Sequence, residues 1–217
     1  MTYPASVPIA THPGLDPCPR PIAMIFQLFR RNDRAGTIRA LYGAIVAQAR
    51  RPAFYRDYGV PDSVEGRFDM IALHVILFFR RVRAEREQVR ALGQAVFDAF
   101  CRDMDHNLRE MGVSDVGIPR KMRGLGEAYY GRAMTYDHAL SADGDEALVA
   151  ALARNVFAME AAPAGALRLA SYVREAVRRL DREDGDALAA SVLDFPDPDT
   201  ISAAEGGAIA AAQKVEP

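Results

Sequence analysis

The sequence predicts an all-α protein, a helical bundle around one central apolar helix at about residues 62–83 with disordered ends. Three observations lead there. The stretch MIALHVILFF, Met70 to Phe79, has His74 as its only polar residue, so a helix there is apolar on every side and must be enclosed. Ten residues rise only about 15 Å as helix, half of what a bilayer core needs, which favours enclosure by protein over a membrane span. Around that stretch apolar residues recur at steps of three and four, and no run alternates β-branched and polar residues as a strand would.

The central helix has an expected start and stop. Asp62 followed by Glu65 has the acidic form of a capping box, with Pro61 halting the preceding chain. Arg80, Arg81 and Arg83 stand where the carbonyl end of a helix favours cations.

Upstream, residues 1–23 are rich in proline and short polar residues and read as a disordered leader. They lack the continuous apolar core of a secretory signal. Met24 is an expected native translation start. Ile25, Phe26 and Phe29 beside Arg30 and Arg31 form a short apolar and cationic segment, read as a candidate membrane-surface contact or a helix docked on the core. A helix over Thr37–Arg50 follows from Ile38, Leu41, Tyr42, Ile45, Val46 and Ala49, and Pro52 ends it. The linker RRPAFYRDYGVPD then interleaves Phe54, Tyr55 and Tyr58 with Arg50, Arg51 and Arg56. Such rings staple a loop to a core, stack on bases or grip a peptide.

Downstream, an apolar stripe from Val89 to Met111 predicts a long amphipathic helix over Glu85–Met111, closed by Gly112. Pro119 opens the next helix, whose stripe is Met122, Leu125, Tyr129, Ala133, Tyr136 and Leu140. Two further stripes, over Asp143–Met159 and Ala164–Leu180, are separated by Pro163. One short helix at about Ala187–Leu193 precedes a tail expected to fray from Phe195. The organisation expected is therefore a leader at 1–23, a helical domain at 24–182 and a short helix with flexible tail at 183–217.

Charge is segregated along the chain. Met24–Leu140 holds 19 Lys and Arg against 14 Asp and Glu, whereas Ser141–Pro217 holds 7 against 14, so the halves face different partners or each other. Neither half has the positive field of a dedicated nucleic-acid binder. Two cysteines, Cys18 and Cys101, make neither a disulfide framework nor a CxxC metal site, which fits a reducing cytoplasm.

No enzyme site stands out, and no cofactor or metal is expected. His74 reads as a hydrogen-bonded core histidine. Asp103 and His106 are helical neighbours, but a di-iron bundle needs a second carboxylate-x-x-His pair, which the chain lacks. Cys101 sits on an apolar stripe, as an inert thiol does. GLGEAYYG follows a proline-started helix rather than a strand, so the phosphate-loop reading fails on context. Arg120, Lys121 and Arg123 cluster at a helix start, where they oppose the dipole and are explained better by a partner.

Two stretches, LYGAIVAQARRPAFYRDYGVPDSVEGRFDMIALHVILFFRRVR and FDAFCRDMDHNLREMGVSDVGIPRKMRGLGEAYYGRAMTYDHAL, resemble the ubiquinol-cytochrome c chaperone family over Ile38–Leu140. The most specific pieces are AQAR with the following FY, GVPD with GRFDM, and NLREMGVSDVGIPRKMR. The proline-rich start and the acidic segment beyond Ser141 carry no matching motif. The resemblance implies an all-helical, non-enzymatic assembly factor that receives newly made cytochrome b for the ubiquinol-cytochrome c reductase, respiratory complex III. It implies further contact with a ribosome or a second assembly factor. The lack of a secretory signal and the cysteine usage make the cytoplasm the expected location, with peripheral contact to the inner membrane. Arg50, Arg51, Phe54, Tyr55, Arg56, Arg120, Lys121 and Arg123 are the expected client-facing patch. The alternative reading is a peripheral lipid or fatty-acid binding bundle, and a third is a metal-dependent helical oxidoreductase.

Overall fold

A computed structural model describes residues 21–202, all of it helix and connecting loop, without a strand among the described residues. The chain forms two compact units, residues 1–35 and 36–217. Of the first, the helical backbone from Pro21 is described, so residues 1–20 of the expected leader fall outside the described residues, residues 21–23 are helical, and the structure does not bear on a translation start at Met24.

Helix α1 runs Pro21–Ala49, where the sequence placed a helix start only at Thr37. Pro21 sits at its first position, where the missing N–H costs nothing. Gly36 costs a helix interior only about 1 kcal/mol, too little to stop it. In the second unit α1 buries Leu41, Ile45 and Ala49. The aromatic linker forms a short helix, α2, at Pro52–Arg56.

Helix α3, Val64–Val82, is capped by Ser63, whose hydroxyl accepts from the Gly66 N–H at 3.1 Å. The expected Asp62–Glu65 box is not made, because Asp62 instead pairs with Arg67 at 2.7 Å. Gly66 is required there: a Cβ would stand 2.1 Å from the Pro61 carbonyl oxygen, so the entering chain can cross close above the first turn. Met70 to Phe78 are buried without interruption, and the helix touches α4 (Glu87–Glu110), α5 (Ile118–Ser141), α6 (Glu146–Val156) and α7 (Ala164–Arg182). Its far end is tied by Arg81, which donates to the Leu180 carbonyl at 2.8 Å and pairs with Glu85 at 2.6 Å.

Beyond α7 lies α8, Gly185–Ala189, somewhat earlier than the sequence placed it. The tail expected to fray does not do so before residue 202. Phe195 packs edge-on to His74, with ring centres 5.2 Å apart, and Pro196 and Pro198 are buried. Three of its carbonyls are taken up: Pro196 accepts from Gln48 at 2.8 Å, Pro198 from the Tyr58 hydroxyl at 2.8 Å, and Ile201 from Arg168 at 2.9 Å. An apolar ring with satisfied backbone on either side holds the segment as a strap. Among the described residues no helix is long and apolar enough to cross a membrane.

Candidate partner-binding surfaces

The expected client-facing residues separate into four environments. Phe54 leaves the surface: it is fully buried, with its ring 5.3 Å from Tyr58, 5.7 Å from His74 and 4.8 Å from Tyr172. Its apolar ring gains more from that enclosure than exposure could give, so it staples α2 to the core. Arg51 and Arg56 grip a peptide, but the peptide is this chain's own strap. Arg51 meets Asp197 at 2.7 Å and Asp199 at 3.2 Å, and Arg56 meets Asp199 at 3.3 Å. Arg168 lies 4.2 Å over the Tyr58 ring and completes the clasp.

Arg50 is exposed, and Tyr55 is half-buried with its hydroxyl turned inward to the Ala49 carbonyl at 2.9 Å. With Pro52, Arg56, Asp62 and Arg67 they line an open concavity of about 590 Å³. Arg120, Lys121 and Arg123 do not line it. They sit exposed in the first two turns of α5, which opens without an acidic residue, and pair with no carboxylate among the described residues. Ile25, Phe26, Phe29, Arg30 and Arg31 lie on the helical backbone of α1, but their side chains fall outside the described residues.

The polar groups in the interior are committed to structure. His74 Nδ1 donates to the Met70 carbonyl at 2.8 Å, so Nε2 is the acceptor for the Tyr172 hydroxyl, also at 2.8 Å. The Tyr172 oxygen in turn accepts from Gln48 at 2.9 Å. Burial pushes His74 down to about 4, so it stays neutral. Asp69 is pushed up to about 6, because burial outweighs the opposing Arg132 guanidinium 2.7 Å away. Cys101 is half-buried, and burial raises its thiol away from the reactive thiolate. Asp103 accepts from Tyr42 at 2.7 Å, His106 pairs with Glu110 at 3.0 Å, and no metal-holding cluster exists among the described residues.

The sequence reading missed a groove between α3, α4 and α5. Phe79 and Phe97 lie 5.5 Å apart, Phe97 and Tyr129 5.1 Å, and Tyr129 and Tyr130 5.6 Å, around a cavity of about 210 Å³. Arg80, Arg83 and Asp137 stand at its edge. One signal was available. Tyr130 and Met134 are apolar residues one turn apart that fall off the buried stripe of α5, and both are exposed.

This is an all-helical bundle whose interior is spent on packing and whose distinctive features lie on its surface, as in a protein that handles other proteins. The model of the family described as ubiquinol-cytochrome C chaperone matches residues 56–195, and the chain belongs to that family. The match continues past Leu140 through most of the acidic segment, which the motif resemblance did not reach. The chain is 27% identical to the ubiquinol-cytochrome-c reductase complex assembly factor 1 of Xenopus laevis over 68% of this chain and 74% of that protein. It is 26% identical to the corresponding Drosophila melanogaster factor over 67% of this chain, spanning 58% of that protein's length. The crystal structure of the Cbp3 homolog from Brucella abortus superposes with a TM-score of 0.75 at 38% identity, covering 82% of this chain and all of that one. The family and these relatives make the chain a chaperone of complex III assembly.

Proposed function

We propose that the protein binds newly made cytochrome b and holds it for assembly into the ubiquinol-cytochrome c reductase, without bond-making of its own. The observation that carries this is membership of the chaperone family, together with relatives named for assembly of that complex. A holdase needs exposed apolar surface for an emerging membrane helix and cations for an anionic surface beside it. The aromatic groove supplies the first. Arg50 and the trio Arg120, Lys121 and Arg123 supply the second, with Tyr55 and Arg56 at the edge of the neighbouring concavity.

The same cations are available to ribosomal RNA or to a second assembly factor. Peripheral contact with the inner membrane belongs to Ile25, Phe26, Phe29, Arg30 and Arg31 in the first part of α1, where a short apolar run is followed directly by cations. Deleting the gene and following haem b absorbance and assembled complex in native membranes tests the main reading. Loss of both, restored by the full chain, is the expected result, and normal assembly without the protein overturns it. Liposome flotation of the chain with and without residues 24–34 tests the membrane contact, which fails if flotation is the same for both.

A further inference from the structure

We propose that the groove between α3, α4 and α5 is where an apolar helix of the client docks, seating one bulky side chain among Phe79, Phe97 and Tyr129. The inference rests on the chaperone reading and gives it a place. Three features argue for this occupant.

The first is size. Pockets that enclose drug-sized ligands run to roughly 300–1,000 Å³. This cavity holds about 210 Å³, room for a single anchoring side chain. The second is what surrounds it. Tyr130 and Met134, 62% and 75% exposed, continue the apolar surface outward along α5. A small ligand inside the cavity reaches Tyr130, which lines it, but not Met134, whereas a helix laid in the groove covers both with residues one turn from its anchor. Such a rim excludes water around a central anchor.

The third is an unfilled donor. Arg80 lines the groove, and its buried Nε has no hydrogen-bond partner. The Asp137 carboxylate is 3.9 Å from Nε, beyond hydrogen-bond range, while Nη1 of the same guanidinium donates to Asp181 at 3.3 Å. Asp137 is already engaged by both terminal nitrogens of Arg83, at 2.7 and 3.1 Å. A buried donor left open costs free energy. An oxygen acceptor on the client helix, on the face that bears its anchor, recovers that cost once the flexible Arg80 side chain turns toward the groove.

The test uses the full-length tagged chain in its native cell, with cytochrome b co-isolated from solubilised membranes as the readout. Tyr130→Glu and Met134→Glu place a charge on exposed positions, so folding is preserved, and the urea midpoint of each purified variant checks this. Met159→Glu and Val192→Glu, at exposed apolar positions outside the groove, are the controls. Each groove variant is expected to lower recovered cytochrome b about tenfold or more while the controls retain it. Equal recovery from all four variants, or loss from the controls alone, overturns the groove and leaves the chaperone reading standing. A wild-type chain that recovers no cytochrome b overturns the chaperone reading itself. A fluorescent fatty acid that binds one per chain and is lost in Tyr130→Glu, with cytochrome b recovery unchanged, assigns the groove to an acyl ligand and also overturns the proposal.

Discussion

His74 is the residue on which three helices and the strap converge. Because the Met70 carbonyl can only accept, the tautomer is fixed, and the chain of bonds through Tyr172 to Gln48 has one consistent direction. Tyr172→Phe keeps the ring and removes the oxygen, so no cavity forms but the His74 acceptor and the Gln48 donor each lose a partner. The expected cost is about 1–3 kcal/mol in urea unfolding at neutral pH. The same histidine makes stability depend on pH. Its folded value near 4 lies below the unfolded 6.5, so the unfolded chain binds the extra proton and stability is lost as pH falls through that window. Asp69 works the other way. Its folded value near 6 lies above the unfolded 3.8, so the folded chain binds the proton and stability is gained as pH falls from about 6 towards 4. At about 1.4 kcal/mol per unit, each contribution amounts to about 3 kcal/mol, and they largely offset each other. Asp69→Asn removes the compensating one. Its urea midpoint is expected to fall more steeply than wild type between pH 6.5 and 4, and parallel profiles would contradict the assignment.

At the scale of elements, the strap from Phe195 to Ile201 carries the clearest lesson about what holds a segment down. Its ion pairs to Arg51 and Arg56 are exposed, and such pairs contribute little. Its ring and prolines are packed against α1, α2 and α3. Asp197→Asn combined with Asp199→Asn is therefore expected to leave the urea midpoint unchanged, whereas Phe195→Ala lowers stability by about 2 kcal/mol. Hydrogen exchange at α2 amides then separates the two variants, rising only in the second. This strap was illegible in the sequence because FPDPDT has the composition of a loose end, and only the facing residues Gln48, Tyr58 and Arg168, far away in the chain, make it structure. The α3 run was legible because enclosure follows from its own composition. Its cap was misread by one residue, since Asp62 found a stronger partner in Arg67 and left Ser63 to accept from the Gly66 amide. On the surface, the aromatic and arginine linker reads as a loop stapled to the core, which Phe54 does, but nothing in its own residues says that its arginines meet a segment near position 197.

At the scale of the whole molecule, the basic and acidic halves face each other. Arg51, Arg80 and Arg86 from the first half pair with Asp197, Asp181 and Asp186 from the second. These pairs take up part of the basic excess, whereas the trio on α5 has no carboxylate partner among the described residues. Arg120 and Lys121 also stand in the first turn of a helix that has no acidic residue there, so they raise the local potential where the dipole already does. Stability gives no reason for cations at this point. Replacing all three by Glu puts anions where the helix start favours them, roughly 0.5 kcal/mol per first-turn site. Thermal unfolding of Arg120→Glu/Lys121→Glu/Arg123→Glu is therefore expected at or above the wild-type temperature. The same variant should recover less cytochrome b from membranes, and the deficit should shrink as salt is raised, because screening removes the wild-type advantage as well. Opposite signs for stability and assembly are what a partner-facing cluster produces and what a structural cluster does not. A variant that is less stable, or one that is more stable and assembles the complex as wild type does, would return these residues to the solvated surface.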